Sequence, residues 1–572
     1  MTMESQGMKS PAGLRTELSR KLEEAVQAIW GDSVPRDFHP EVSSSDNPDF
    51  GDLSSNAAMI LAGMVRAAPR EIAGRIVEKC GEDLPGVSAV SIDGPGFINF
   101  RLSDDHLAET CLALAESGLR PLLPDRGRGR SVLVEFVSSN PTGPLTVGHC
   151  RQAVLGDAVS RLLEAVGWTV SREYYYNDGG RQMTLLGQSL AARYRGGGDE
   201  EIPEGGYLGD YITRWARQLR EVRGDRLTWD EDRDTFIAFA EEKAMEMIRS
   251  DLALLGIDFD RYFAESELIP GDVERSIEEL SNIRPRGESL VYPDPEDPRK
   301  LWLRFTALGR PKDRVIRRAD GSYTYRMPDI AYHLNKFRRG FRLMVDVFGA
   351  DHLDTSRDVV AALKAVLGER EVSNRLRVVL HQFVTLLRGG ERVKMSTRAG
   401  EYVTLARLVE EAGSPDVTRY LFLTRRAEAH MDFDLDLARK ESAENPVYYV
   451  QYAHARISGI LRTASEAGVR AHREDAGKAV PLLDGEHERE LMRLLESVPV
   501  QVASAAGSME PHRLTEILAE LAAGFHRFYQ HVRVVDGDRP RLSSARLMLC
   551  GACRECIRGI LDILGVEAPE RM

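Results

Sequence analysis

Residues 131–177, SVLVEFVSSNPTGPLTVGHCRQAVLGDAVSRLLEAVGWTVSREYYYN, decide the fold. The opening SVLVEFV is a short apolar run of the kind buried inside a parallel sheet. SSNPTGPLT is a loop, and VGHCRQAVLGDAVSRLLEAVG carries helical periodicity that stops at Gly167. TVSREYYYN is a second strand. Strand, helix and strand make a βαβ unit, which implies a parallel sheet with ligands beyond the carboxyl ends of its strands. Further on, FRLMVDVFGADH, SRDVVAALKAVLG and RLRVVLHQFVTLL repeat the pattern as strand, helix and strand.

Outward from this core the composition shifts twice. Residues 1–122 read as a small α+β unit: two helical stretches, then VSAVSIDGPGFINFRLS with a Gly-Pro-Gly turn, ending near the linker PLLPDRGRGR. Residues 123–440 form the α/β part, with residues 184–310 reading as a helical, charged insertion. From residue 441 to 572 almost everything is amphipathic helix, which predicts a bundle. The expected architecture is an α/β doubly wound parallel sheet flanked by an N-terminal α+β domain and a C-terminal all-α domain.

At 572 residues the chain exceeds a single core, and 42% hydrophobic with 29% charged residues is a globular mixture. No apolar run reaches the ~18 residues that span a bilayer, and the N-terminal residues lack a signal-peptide core, so a cytoplasmic protein without a membrane partner is expected. The formal net charge of −13 argues against a nonspecific nucleic-acid coat. That charge is uneven: residues 445–572 hold 16 Lys and Arg against 17 Asp and Glu, so the tail is the part best suited to approach a polyanion. Cys550, Cys553 and Cys556 are spaced C-x2-C-x2-C, but they follow helical periodicity with no fourth ligand nearby, which predicts packing and no bound metal.

Three segments carry phosphate chemistry. Gly148-His149 opens the helix after the first strand, where free N–H groups and the helix dipole favour an anion. Gly349-Ala350-Asp351-His352 ends a later strand, and Asp351 can accept from ribose hydroxyls. Lys394-Met395-Ser396 begins a basic loop running to Gly400, suited to close over a triphosphate. A helix cap, a polar turn and a solvated loop explain each segment singly. Their joint placement at strand ends favours a nucleotide site.

The stretch VEFVSSNPTGPLTVGHCRQAVLGDAVSRLLEAVG resembles the HIGH-motif region, and RVKMSTRAGEYVTL the KMSKS region, of bacterial-type class I arginyl-tRNA synthetases. FGADH, YTYRMPDIAYH, NPVYYVQYAHARI, FHRFYQHVRVV and ILGVEAPERM match further blocks of that family, and NPDFGDLSSNAAMILA resembles its additional N-terminal domain. The resemblance implies ligation of L-arginine to tRNA(Arg) through an arginyl-adenylate, with ATP and Mg²⁺ as the nucleotide substrate and no tightly held metal. Length suggests a monomer. The catalytic residues implied are His149, Lys394 and Thr146, with Gly148, His149, Gly349, Asp351, His352, Lys394, Met395 and Ser396 around ATP. Thr146 and Thr397 depart from the motifs, replacing a His and a Lys, which shifts phosphate neutralisation toward Lys394, Arg392 and Arg398.

A guanidinium is planar, permanently charged and best held by carboxylates. Glu135, Asn140, Tyr325 and Asp329 match the family positions that hold the substrate arginine, and Tyr325 and Asp329 are four residues apart, on one side of a helical turn. The tail is expected to read the anticodon, with Tyr448, Tyr449, Tyr452, Arg456, Phe528, Tyr529 and Arg533 available for stacking on bases. The N-terminal unit is expected at the tRNA elbow. A cysteine-specific class I enzyme needs a zinc pocket, for which Cys150 alone is central; a nucleotidyltransferase lacks the helical tail. A noncatalytic tRNA-binding paralogue rests on Thr146 and Thr397 alone, against six retained pocket residues.

Overall fold

The computed structural model describes residues 10–45, 47, 49–81, 83–393, 403–469 and 482–572. It divides into two compact units, residues 127–440 and residues 1–126 with 441–572.

The 127–440 unit is built on five parallel strands: β1 (Ser131–Glu135), β2 (Thr169–Tyr176), β3 (Arg261–Ala264), β4 (Leu343–Gly349) and β5 (Leu376–His381), in the order β5-β4-β1-β2-β3. Between them run α1 (Val147–Ala165), α2 (Arg326–Arg338) and α3 (Leu353–Leu367). β1 continues to β2 on one side and borders β4 on the other, so the order reverses at β1, and the crevice between β1 and β4 is the switch point where such sheets take ligands. Val132, Val134, Met344, Val345 and Val347 are fully buried, as expected for strands covered on both faces.

Two expectations change here. The segment 184–310 is not wholly an insertion, because β3 lies inside it and pairs with β2. What projects is the three-helix cluster Gly180–Tyr194, Asp210–Arg223 and Trp229–Ala253, with its own core of Leu186, Leu190, Trp215, Leu219 and Phe236. A charged surface hid a four-residue edge strand. RLRVVLHQFVTLL is likewise two strands, since β5 ends at His381 and Val384–Arg388 joins a second sheet beside Met431–Asp434.

The second unit combines a four-stranded antiparallel sheet, spanning residues 43–102, with the helices Pro446–Glu466, Glu486–Ser508, His512–His531 and Pro540–Leu564. The N- and C-terminal parts, expected as separate domains, pack as one unit. Arg15 donates to both oxygens of Glu496 (2.6 and 2.9 Å), and His106 Nε2 lies 3.3 Å from the same carboxylate, all three buried. Cys550, Cys553 and Cys556 are buried free thiols on the last helix, with Cys111 close by. No described helix is long and apolar enough to cross a membrane.

Candidate active site

β1 ends at Glu135, and the chain then turns through Val137 (φ 67°) and Ser138 (φ 41°). A β-branched residue in the left-handed region is strained and needs surroundings that fix it. Ser138 Oγ donates to Glu135 Oε1 (2.9 Å) and accepts from the Tyr175 backbone N–H (3.2 Å), while Tyr174 donates to the Ser139 carbonyl (2.8 Å). The turn therefore sits on the end of β2. Asn140 follows at the mouth, accepting from the Asn177 N–H (3.1 Å) and donating to Gln182 Oε1 (2.6 Å). Tyr211 of the helical cluster donates to the Thr142 carbonyl (2.8 Å), and its ring closes the space over Gly143 that a Cβ would need.

Below the mouth, parallel register sets Asp346, Glu135 and Glu173 side by side on β4, β1 and β2. Three adjacent buried carboxylates require cations, and α2 brings them. Lys336 Nζ contacts Glu135 and lies 2.7 Å from Asp346 Oδ1, with its side chain fully buried. His333 Nε2 meets Asp346 Oδ2 at 2.9 Å, and Nδ1 meets the Asp329 carbonyl at 2.7 Å. Tyr332 donates to Glu173 (2.7 Å), joined by Arg339 (2.8 Å). Burial opposes charge on this network, but Lys336 and His333 hold the Asp346 carboxyl well below its usual range, and Asp346 holds His333 above the ordinary imidazole value.

Asp329, one turn earlier on α2, is different. Tyr325 is the N-cap residue and is exposed, whereas Asp329 is half-buried and its carboxylate accepts no hydrogen bond from any described residue. Burial, with Glu135 and Glu265 nearby, raises its pKa to about 7, against the partial relief of His333 and Lys336. Burial also raises the Glu265 carboxyl, although Tyr175 donates to it (2.8 Å). Glu135, Glu265 and Asp329 thus lie near one another, Glu135 paired with Lys336, Glu265 held only by the Tyr175 hydroxyl and Asp329 without an ion pair among the described residues. Tyr325 lies near Tyr207, which is hydrogen-bonded to Thr142.

The phosphate side lies at the start of α1. Thr146 and His149 form a reciprocal cap, with Gly148 exposed between them. Burial lowers the His149 pKa to about 4, against a small opposing pull from Asp351. Gly349 ends β4 and pairs in register with His381, and Asp351 and His352 just beyond it are exposed. His381 was not anticipated: it is buried, its pKa is pushed down to about 4 by burial, and its Nε2 has no partner among the described residues. As the last residue of the strand LRVVLH it carried the same strand-end signal as Gly349. Glu265 was missed because it lies just past β3, in the supposed insertion.

Lys394, Met395 and Ser396, with Thr397 and Arg398, lie outside the described residues. Just beyond them Thr404 bridges to Thr146, and the Leu405 N–H donates to the Leu145 carbonyl (2.7 Å), so the chain leaving the basic loop is tied to the start of α1.

In the second unit a groove of about 860 Å³ is lined by Tyr452, Arg456, Tyr529 and Arg533 among others. Arg456 lies over the Tyr529 ring at 5.2 Å, and Tyr448 stacks parallel to Tyr452 at 6.5 Å. Phe528 does not belong to this surface: it is fully buried, so the expectation that it touches RNA is overturned. On a helix whose apolar stripe faces the bundle, Phe528 falls on the stripe and Tyr529 beside it.

Residues 14–102 match the family described as Arginyl tRNA synthetase N terminal domain, 114–205 the tRNA synthetases class I (R), catalytic domain, and 450–572 the DALR anticodon binding domain. The chain is 42% identical to an arginine–tRNA ligase of Salinibacter ruber, over 98% of this chain and 99% of the relative. It is 43% identical to that of Thermotoga maritima, over 97% and 99%. The fold is shared with the Thermus thermophilus arginyl-tRNA synthetase (TM-score 0.75, 22% identity, 98% and 100% covered). With such identity held across nearly its whole length, the chain belongs to the arginine–tRNA ligase family.

Proposed function

We propose that this chain ligates L-arginine to its cognate tRNA in two ATP-dependent steps: the arginine carboxylate attacks the α-phosphate of ATP, releasing pyrophosphate, and the adenylate passes arginine to the terminal adenosine of tRNA. The observation that carries the substrate assignment is Asp329, a half-buried carboxylate with no ion pair of its own among the described residues, flanked by Glu135 and Glu265. A guanidinium supplies that cation, and its fork of donors also suits Asn140 and the Tyr325 hydroxyl at the mouth. Citrulline leaves Asp329 uncompensated, and the lysine ammonium presents a point charge where a planar fork is needed.

The adenylation step needs no protein nucleophile, so the residues position the reactants and stabilise charge. His149 donates to a phosphate oxygen from the helix N-terminus, Thr146 fixes its ring, and Asp351 with Gly349 receives the nucleoside. Lys394 and Ser396 on the basic loop complete the phosphate site, where Thr397 leaves one cation fewer. ATP enters as its magnesium complex. Among the described residues, the one cluster with metal-ligand chemistry, Glu135, His333 and Asp346, encloses the Lys336 ammonium, so the metal is assigned to the nucleotide.

The groove at Tyr452, Arg456, Tyr529 and Arg533 is assigned to the anticodon loop, with Tyr448 supporting Tyr452 from behind, and the N-terminal part to the tRNA elbow. We read the chain as a monomer in the cytoplasm, where its substrates are. Charging of total tRNA with each amino acid in turn tests the assignment. Incorporation of arginine alone supports it; tRNA binding without charging supports a noncatalytic paralogue.

A further inference from the structure

The carboxylate row Asp346, Glu135 and Glu173 is imposed by strand register, yet only its central member belongs to the arginine pocket assigned above. α2 faces this row with Tyr332 and Lys336, four residues apart, and His333 beside them, and its C-cap residue Arg339 joins them three residues later. Asp329 lies on the same face, one turn toward the helix start. The ammonium of Lys336 sits between Glu135 and Asp346, where three ligand-type groups lie within 4.8 Å of one another, and it also lies over the Tyr332 ring, 4.4 Å from its centroid. It fills the place that a divalent ion would take.

We propose that Lys336 is a positioning residue for arginine selection: its buried ammonium holds Glu135 as a fixed anion under the pocket, leaving Asp329, with the Tyr175-bonded Glu265 beside it, to take its cation from the substrate. The proposal rests on the arginine reading of the pocket and deepens it. Glu135 is held from both sides, by Lys336 on one oxygen and Ser138 on the other, and neither contact needs substrate. Lys336 and His333 face Glu135 and Asp346, two cations to two carboxylates, so the buried layer is balanced within itself. The charge demand is displaced upward to Asp329. Without the ammonium, Glu135 becomes a buried carboxylate lacking its cation, and it takes up a proton or turns away. Either result removes an anion from beneath the substrate while leaving the phosphate side, at His149 and His381, in place.

The test uses the full-length chain with arginine, ATP and tRNA as probes. Lys336→Met keeps the stem and removes the charge. Lys336→Met with Asp346→Asn also removes one carboxylate, so that buried charge stays balanced if the single variant does not fold. In either folded variant the arginine KM rises about tenfold or more, the size of a lost charge-assisted contact, while the ATP KM stays within about twofold. An arginine KM within twofold of the parent, or arginine and ATP KM rising together, overturns the proposal. Failure of both variants to fold assigns the ammonium to stability alone and overturns it too. Asp329→Asn in the otherwise unaltered chain separates the two levels. If it binds arginine normally, the pocket assignment fails; if it loses arginine while the Lys336 variants keep it, only the Lys336 proposal fails.

Discussion

The backbone N–H of Thr146 donates to Nδ1 of His149 across 3.2 Å. An imidazole nitrogen that accepts carries no proton, so in the neutral ring the hydrogen is on Nε2, the atom left free for a ligand. Burial lowers the ring's pKa to about 4, and His149 therefore serves as a neutral donor at physiological pH.

That geometry predicts the behaviour of His149→Ala. Removing one positioned donor from a transition-state oxyanion typically costs about 10²–10³ in kcat. Steady-state charging of tRNA should show a loss of that order with the arginine KM within about threefold, because the arginine carboxylates are untouched. Since His149 titrates near 4, its role is constant from pH 6 to 8.

Asp329, raised to about 7, titrates in that range. Arginine binding needs its ionised form, so arginine affinity should fall as pH drops from 8 to 6, and binding near pH 7 should release protons. Calorimetry in buffers of different ionisation enthalpy measures that release. Asp329→Asn should abolish both the binding and the proton release.

Asp329 also bears on stability, with the sign of a raised acid. Its folded pKa of about 7 exceeds the unfolded value of about 4, so the folded chain is favoured while Asp329 is protonated, and that advantage is lost as pH rises through 7. Asp329→Asn should therefore raise the melting temperature of the substrate-free protein at pH 8, by about 1–3 kcal/mol of stability, and gain little at pH 5. Differential scanning calorimetry at the two pH values checks the direction.

The helical unit separates surface aromatics from core aromatics. Tyr452→Ala and Arg456→Ala should each raise the tRNA KM about tenfold, the scale of one lost base stack, without changing the melting temperature by more than a few degrees. Phe528→Ala should instead destabilise by about 3–5 kcal/mol through a core cavity, seen in denaturant unfolding.

Glu496 is held by Arg15 and His106, and their charges depress its pKa to about 2 against the effect of burial. A depressed carboxylate stabilises above its unfolded pKa of about 4.5 and loses that contribution as pH falls toward 2. Glu496→Gln strands a buried Arg15 and should cost about 3 kcal/mol at pH 7. The deficit against the parent chain should shrink on acidification from pH 5 to pH 3, measured by thermal unfolding.

Local chemistry made the βαβ core legible. Apolar runs of strand length, a 19-residue helix ending before Gly167 and the Gly148-His149 helix start are signals that neighbours in sequence carry by themselves. Asp329 was also legible, as an acid in the first turn of a helix. β3 was not, because a four-residue edge strand between charged helices has too few alternating positions to stand out. The split of RLRVVLHQFVTLL was hidden for a related reason: an unbroken apolar run looks the same whether its halves enter one sheet or two.

The sequence by itself determined the layer order, the strand-end placement of the phosphate-binding residues, and the spacing of Tyr325 and Asp329. Only the tertiary structure decided which carboxylates are already neutralised. Glu135, Glu265 and Asp329 look equivalent as acids near strand or helix ends, but register places Glu135 beside Asp346 with Lys336 between them, while burial leaves Asp329 without a cation. Charge compensation depends on distances of a few ångströms between groups up to 201 residues apart, and periodicity along the chain carries no record of them.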